Sequence, residues 1–144
     1  MFLSVVIPTY NRLPILRQCL YALERQQWRS DGSVAGYEVV VVDDGSTDGT
    51  IAWIESHHDT LAHVRLFRQS HLGPAAARNL GVSQAVGETI VFIDSDLVVT
   101  DRFLQHHADA LQHGQRQLGH DRLFTYGAVI DTNNLDNPTS EHYK

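Results

Sequence analysis

The sequence predicts an α/β protein, a three-layer sandwich built around a mostly parallel sheet. Short β-branched and aromatic runs alternate along the chain with segments whose apolar residues recur every three or four positions, as expected for strands and helices. Residues 39–42 are four consecutive valines, which is typical of a parallel strand covered on both faces. Because strands and helices that alternate in this way wind into right-handed βαβ units, we expect helices on both faces of one open sheet.

Five runs are predicted to be strands. They are short and rich in Val, Ile, Leu, Phe and Tyr, and they cover residues 3–7, 37–42, 63–67, 89–93 and 123–130. A polar loop at residues 29–36 separates the first helix from the second strand.

Four helices are predicted from apolar residues at helical spacing. The positions that carry this spacing are Leu13, Leu16, Leu20 and Leu23; Ile51, Trp53 and Ile54; Ala76, Leu80 and Val86; and Phe103, Leu104 and Leu111. Pro74 follows Gly73 and is predicted to occupy the first position of the third helix. Proline suits that position because the backbone N–H that it lacks would have no partner within the helix.

Two of these helices are preceded by residues that can cap them. Asp48 or Thr47 precedes the second helix, and Thr100 or Asp101 precedes the fourth. Their side-chain oxygens can accept the free N–H groups of a first helical turn. We therefore expect side-chain caps at both starts.

The composition indicates one globular domain without nucleic acid as a partner. The chain has 144 residues, of which 42% are hydrophobic and 19% charged, and its formal charge is -6. A negative chain with scattered Lys and Arg opposes binding to a phosphate backbone. Cys19, the only cysteine, falls in an apolar stripe and is predicted to be a buried thiol. With no apolar run near the roughly 20 residues of a membrane helix, we expect a cytoplasmic protein, and peripheral membrane attachment stays open.

Acidic residues follow two of the predicted strands. Asp43 and Asp44 follow the second strand, and Asp94 and Asp96 follow the fourth. Ligands of open α/β sheets bind at the carboxyl ends of strands, and four carboxylates crowded there would repel one another without a cation. Aspartate oxygens suit Mg²⁺ or Mn²⁺, completed by water and substrate phosphates. These residues predict a metal-assisted diphosphate site at this edge of the sheet.

Two common phosphate-binding loops are missing. No Gly-x-Gly-x-x-Gly follows the first strand, and no Gly-x-x-x-x-Gly-Lys occurs in the chain. Dinucleotide oxidoreductases and P-loop nucleotide hydrolases are therefore disfavoured.

Four sequence blocks together resemble the inverting glycosyltransferases of family 2. The blocks are SVVIPTYN at 4–11, VDDGSTD at 42–48, GPAAARN at 73–79 and FIDSD at 92–96. Each block is weak alone, but their order and spacing carry the resemblance over about residues 3–130. It implies a fold of the GT-A, nucleotide-diphospho-sugar transferase type. Residues 1–130 would be its nucleotide-sugar-binding portion, and residues 131–144 a polar tail leading to an absent acceptor-binding half, so that the GT-A domain is truncated.

The resemblance also implies a nucleotide pocket. Pro8, Tyr10 and Asp44 would border the base and ribose, and Asp43 and Arg78 would flank the same pocket. Structural interpretations stay open: Tyr10 as an aromatic plug, Arg78 as a solvated helix residue, and the two aspartates as turn residues that accept backbone N–H groups.

The resemblance implies a metal site and a reaction as well. Asp94 and Asp96 correspond to the family's Asp-x-Asp pair, with Asp96 expected to contact Mg²⁺ or Mn²⁺ and Asp94 the metal or the ribose. Leu97 stands where many relatives have a further acidic residue. The implied reaction transfers a sugar from a nucleoside diphosphate-sugar, with a UDP-sugar favoured, to a hydroxyl of a glycan, lipid or protein acceptor with inversion. No catalytic residue is assigned, because the general base is expected beyond Lys144.

Other readings of the same residues remain. The principal alternative is a nucleotide or nucleotide-sugar-binding module without catalysis. Residues 44–55 nearly fit an EF-hand calcium loop, although such a loop requires a preceding helix. A nucleotidyltransferase is disfavoured because it would need a glycine-rich loop after the first strand. A zinc site is disfavoured because paired histidines such as His57 and His58 point to different helix faces. An exposed strand edge makes self-association an expected property.

Overall fold

The computed structural model describes residues 1–127, in which four parallel strands alternate with four helices. The elements are β1 (Phe2–Thr9), α1 (Leu13–Glu24), β2 (Gly36–Asp43), α2 (Thr50–Ser56), β3 (Val64–Arg68), α3 (Pro74–Gln84), β4 (Thr89–Phe92) and α4 (Phe103–Leu118). The strand order is β3-β2-β1-β4, and every neighbouring pair is parallel. The predicted α/β class and the first four strands are confirmed.

The valines of β2 explain why this strand lacks apolar–polar alternation. Val39 and Val41 belong to the larger core cluster, which includes residues of α1, α2 and α4. Val40 and Val42 belong to a smaller cluster with Ala77 of α3. Because successive side chains of a strand point to opposite faces, both faces of β2 are covered, and helices lie on either side of the sheet.

Cys19 matches a further expectation. The Cys19 side chain of α1 is buried, and this burial raises the pKa of its thiol to about 12. A thiol with such a pKa stays protonated and packs as a small apolar group. Among residues 1–127, no helix has the length and apolar character needed to cross a bilayer.

The predicted fifth strand is not found in the described residues. Residues 123–127 belong to no strand. Residues 128–130, the rest of that prediction, and the polar tail at 131–144 lie outside the described part of the chain.

The predicted N-cap positions of α2 and α4 are wrong, whereas the start of α3 is confirmed. Helix α3 begins at Pro74 after Gly73. The N-cap positions of α2 and α4 are Gly49 and Arg102, and neither of these two residues makes a side-chain cap hydrogen bond. Asp48 lies one residue before the N-cap of α2, yet its carboxylate accepts the backbone N–H of Thr50, the first residue of α2, as well as that of Leu13.

Candidate active site

The predicted site residues gather at one edge of the sheet. Parallel strands end on the same side, so the segments that follow β1, β2 and β4 meet there. Pro8 and Tyr10 lie at the end of β1, Asp43 and Asp44 at the end of β2, Asp94 and Asp96 after β4, and Arg78 in the first half of α3. The sheet therefore assembles residues that are far apart in the sequence.

Tyr10 forms the exposed aromatic surface of this edge. Its side chain is 42% exposed, whereas Pro8 is buried in register with Val42 of β2. The centroid of the Tyr10 ring lies 4.2 Å from that of His71, with an angle of 31° between the rings. His71 belongs to the loop between β3 and α3 and was not among the residues predicted from the sequence. Tyr10 and His71 thus form a tilted aromatic pair beside the strand ends.

Asp44 anchors the loop between β3 and α3. One carboxylate oxygen accepts hydrogen bonds from the Leu72 backbone at 2.8 Å and the Gln69 amide at 2.7 Å. The other accepts the Gly73 backbone N–H at 3.0 Å and lies 3.0 Å from His71 Nδ1. Although burial by itself raises the pKa of Asp44, the bonds from Gln69 and the backbone hold that pKa below its ordinary value. The carboxylate is therefore ionised at neutral pH and holds four donors.

Only one of the two carboxylate oxygens of Asp43 has hydrogen-bond partners among the described residues. Its Oδ2 accepts the backbone N–H groups of Gly45 at 3.2 Å and Ser46 at 2.9 Å, which is the turn role that its position after a strand allows. Its Oδ1 is buried and has no hydrogen-bond partner within residues 1–127, and the same is true of the Oγ1 of Thr9. The two residues are in register on neighbouring strands. Buried oxygens without partners are uncommon in folded proteins and mark this position as a place for a ligand or water contact.

Asp94 and Asp96 are each paired with an arginine. Arg78 Nη2 lies 2.6 Å from Asp94 Oδ1, and Arg12 Nη1 lies 3.0 Å from Asp96 Oδ2. The two carboxylates are 61% and 47% exposed. Arg12 was missed at the sequence level; its position directly after the PTYN block, where β1 ends, was the available signal.

The carboxylates at this edge could hold a hard divalent cation only through Asp94 and Asp96, with other ligands completing the coordination. Within residues 1–127, no three His, Cys, Asp or Glu side chains come close enough to hold a metal together. Asp43 and Asp44 accept backbone N–H groups, while Asp94 and Asp96 pair with arginines. Asp94 and Asp96 keep accessible oxygens, which suit Mg²⁺ or Mn²⁺ completed by water and phosphate oxygens.

The loops after β1 and β2 are locked together. Asn11 donates its backbone N–H to Ser46 Oγ at 2.9 Å, and its Oδ1 accepts the Thr47 N–H at 2.7 Å. Asn11 has a φ of 48°, a left-handed conformation that asparagine tolerates better than most residues. This contact fixes Tyr10 relative to Asp44 and gives a structural reason for the asparagine of the PTYN block.

The calcium and zinc readings are not supported. Strand β2, and not a helix, precedes the loop at residues 44–55, so that loop is not part of an EF-hand. Among residues 1–127, no group of three His, Cys, Asp or Glu side chains could hold a zinc ion.

Comparison with known proteins gives a family match and close relatives. The model of the family described as glycosyl transferase family 2 matches residues 4–139. An uncharacterised glycosyltransferase, YibD of Escherichia coli K12, is 35% identical over 94 residues, which are 65% of this chain and 26% of that protein. The poly(ribitol-phosphate) β-N-acetylglucosaminyltransferase TarS of Staphylococcus aureus is 35% identical over 117 residues, which are 75% of this chain and 20% of that protein.

Solved structures agree with this match. The structure of S. aureus TarS 1-349 in complex with UDP-GlcNAc superposes with a TM-score of 0.68 and 32% identity, over 80% of this chain and 32% of that one. The mannosyltransferase PcManGT of Pyrobaculum calidifontis, in complex with GDP-Man and Mn²⁺, superposes with a TM-score of 0.54 and 35% identity, over 65% of this chain and 27% of that one. In each of these four matches, which involve three proteins, this chain spans a third or less of the matched chain.

Proposed function

The chain belongs to glycosyl transferase family 2, and on that premise we propose that its sheet edge binds a nucleoside diphosphate-sugar for transfer to an acceptor hydroxyl with inversion. The observation that carries the proposal is the convergence at one edge of an exposed aromatic ring, a buried ionised carboxylate and two exposed carboxylates paired with arginines. A base, a diphosphate and a divalent cation need groups of these three kinds. The acceptor class, whether glycan, lipid or protein, is left open.

Tyr10 and Asp44 are proposed to hold the base, with Pro8 and Asp43 beside them. Tyr10 offers a flat face on which a base can stack. Asp44 is ionised and accepts hydrogen bonds only, so its partner on the base would be an N–H donor, which uracil and guanine offer as a ring N–H. The relatives solved with UDP-GlcNAc and GDP-Man carry bases of this kind. A UDP-sugar is the first donor to test and a GDP-sugar the second.

Asp96 and Asp94 are proposed to hold Mg²⁺ or Mn²⁺, with Asp96 in direct contact. Such an ion neutralises charge on a departing nucleoside diphosphate. Support comes from the exposed oxygens of this pair and from the relative solved with Mn²⁺. Arg78 and Arg12 hold the two carboxylates at the edge, and guanidinium groups are also good partners for phosphate oxygens. The carboxylate that deprotonates the acceptor is proposed to lie outside residues 1–127.

The proposal is tested by calorimetric titration of UDP and then GDP, with and without Mn²⁺. Wild-type protein is compared with Asp96→Ala and with Asp59→Ala, whose carboxylate is 89% exposed and follows α2 at the opposite edge of the sheet. We expect wild type and Asp59→Ala to bind one nucleotide in a Mn²⁺-dependent way, and Asp96→Ala to lose about tenfold or more in affinity. Its free energy of unfolding should change by less than about 0.5 kcal/mol, because Asp96 is at the surface.

Three results would count against parts of this proposal. Folded wild-type protein that binds neither nucleotide would contradict the donor site. Equal affinity of Asp96→Ala and wild type would remove Asp96 from the metal site. Metal-dependent binding without sugar transfer to any acceptor tested would favour the alternative, a binding module without catalysis.

A further inference from the structure

His71 touches both groups that are proposed to recognise the base. The centroid of its imidazole lies 4.2 Å from that of the Tyr10 ring, with an angle of 31° between the rings, and its Nδ1 lies 3.0 Å from Asp44 Oδ2 and 3.2 Å from the Asp44 carbonyl oxygen. With both oxygens as acceptors, Nδ1 must carry the proton and donate it. The imidazole of His71 thus packs against the Tyr10 ring and donates a ring N–H to Asp44.

These two contacts are the ones that a base with a ring N–H would make at the same place. Two rings cannot occupy one face of Tyr10, and the Asp44 oxygen that faces His71 already accepts the Gly73 N–H at 3.0 Å. The carboxylate is only 4% exposed while His71 is in position. A base therefore reaches this face of Tyr10 and this oxygen only if the imidazole leaves.

The surrounding contacts allow His71 to leave without dismantling the loop. Its side chain is 62% exposed, so the ring can rotate into solvent. Asp44 still holds the loop through Gln69 and the backbone of Leu72 and Gly73. The anchor of the loop and the ring that covers the base position are separate groups, so one can move while the other stays.

We propose that His71 occupies the base position of the ligand-free protein and competes with the nucleotide base for Tyr10 and Asp44. This inference rests on the proposed donor site, and it assigns His71 a role that opposes binding. The apparent affinity is then the intrinsic affinity reduced by the fraction of molecules whose base position is open. If that fraction is about one fifth or less, removal of the imidazole tightens binding about fivefold or more.

The test compares wild type, His71→Ala and the control His58→Ala by calorimetric titration with Mn²⁺ present. His58 is 76% exposed and lies at the opposite edge of the sheet. Each protein is titrated with UDP and with inorganic diphosphate, which carries no base. We expect His71→Ala to bind UDP at least about fivefold more tightly than wild type, and all three proteins to bind diphosphate alike. In wild type, NMR should show the His71 ring protons losing the ring-current shift of Tyr10 when UDP saturates the site.

The outcomes separate this inference from the function on which it rests. UDP binding by wild type with an unchanged or weaker affinity in His71→Ala overturns the competition and leaves the donor site standing. An equal gain for diphosphate also overturns it, because the effect would then not involve the base. His71 signals that stay unchanged on UDP saturation overturn it without any variant. Failure of both wild type and His71→Ala to bind UDP contradicts the donor site itself.

Discussion

At the residue scale, the buried carboxylates of Asp44 and Glu38 have different structural roles at opposite edges of the sheet. Asp44 anchors the loop between β3 and α3 at one edge, while Glu38 of β2 bonds to Ser4 of β1 and Arg65 of β3 at the other. Glu38 Oε1 accepts Ser4 Oγ at 2.6 Å and the Val86 N–H at 2.7 Å, and Oε2 accepts Arg65 Nη1 at 2.5 Å. Burial by itself raises the pKa of Glu38, but these three donors hold the pKa below its ordinary value. Glu38 is therefore a charged group satisfied inside the protein.

Glu38→Gln should lower the free energy of unfolding at pH 7 by about 2–4 kcal/mol, because an amide cannot accept three donors as a carboxylate does. The folded pKa lies below the ordinary 4.5, so the stabilisation is present above pH 4.5 and is lost as the pH falls through the folded pKa. Urea unfolding from pH 7 to pH 3 should show the gap between wild type and variant narrowing below pH 4.5. A difference in the free energy of unfolding that stays constant with pH would contradict this prediction. So would an equal destabilisation by Asp59→Asn, which changes an exposed carboxylate.

At the scale of the elements, contacts between segments replace features expected within them. Helix α4 begins without a side-chain cap of its own. The Oε1 of Gln26, just beyond α1, accepts the Leu104 N–H at 3.0 Å, and its amide donates to the Thr100 carbonyl at 2.7 Å. Thr100 thus contributes to the start of α4 through its backbone and not through the predicted hydroxyl cap.

Helix α3 approaches the sheet closely at Gly81. A Cβ added there would clash with Val6 Cγ1 and would lie 3.3 Å from Val42 Cγ2. Gly81→Ala is therefore expected to destabilise the protein by about 1–3 kcal/mol through overpacking, although alanine favours a helix by about 1 kcal/mol over glycine. Urea unfolding measures the change, with Ser83→Ala on the exposed face of α3 as the control. A stabilised Gly81→Ala protein would show that α3 is not packed this closely.

At the scale of the whole molecule, a chain with a formal charge of -6 needs cationic groups placed near the site in order to bind an anion. Arg12 and Arg78 stand at the same sheet edge as the proposed cation pair. That edge also joins the loops after β1, β2 and β3 through Asn11 and Asp44. A ligand bound there would contact several segments of the chain at once, so its binding should be visible in global stability.

UDP with Mn²⁺ should therefore raise the midpoint of thermal unfolding by several degrees. A ligand at about 100 times its Kd adds about 2.7 kcal/mol to the free energy of unfolding when it binds only the folded state. A thermal scan over a UDP series measures the shift, with UDP alone and Mn²⁺ alone as controls. The shift should shrink in Asp96→Ala; a shift of the same size in that variant, or without Mn²⁺, would speak against metal-assisted binding at Asp96.

The sequence by itself determined the α/β class, four of the strands, the four helices and the edge where the site residues gather. The reason is that hydrophobic period is a local property: residues 39–42 indicate a strand covered on both faces whatever their neighbours are. Parallel strands joined by helices must also end at one edge. The placement of Tyr10, Asp44 and Asp96 together therefore followed from their positions after strands.

Only the tertiary structure decided which groups meet at that edge. Arg12 and Asp96 are 84 positions apart, Gln26 and Leu104 are 78 apart, and the Asp44–Leu72 bond spans 28. The contact of His71 with Tyr10 likewise depends on the path of the loop between β3 and α3. Such pairings depend on the path of loops in space, because hydrogen bonds reach about 3 Å and sequence patterns carry no information at that distance.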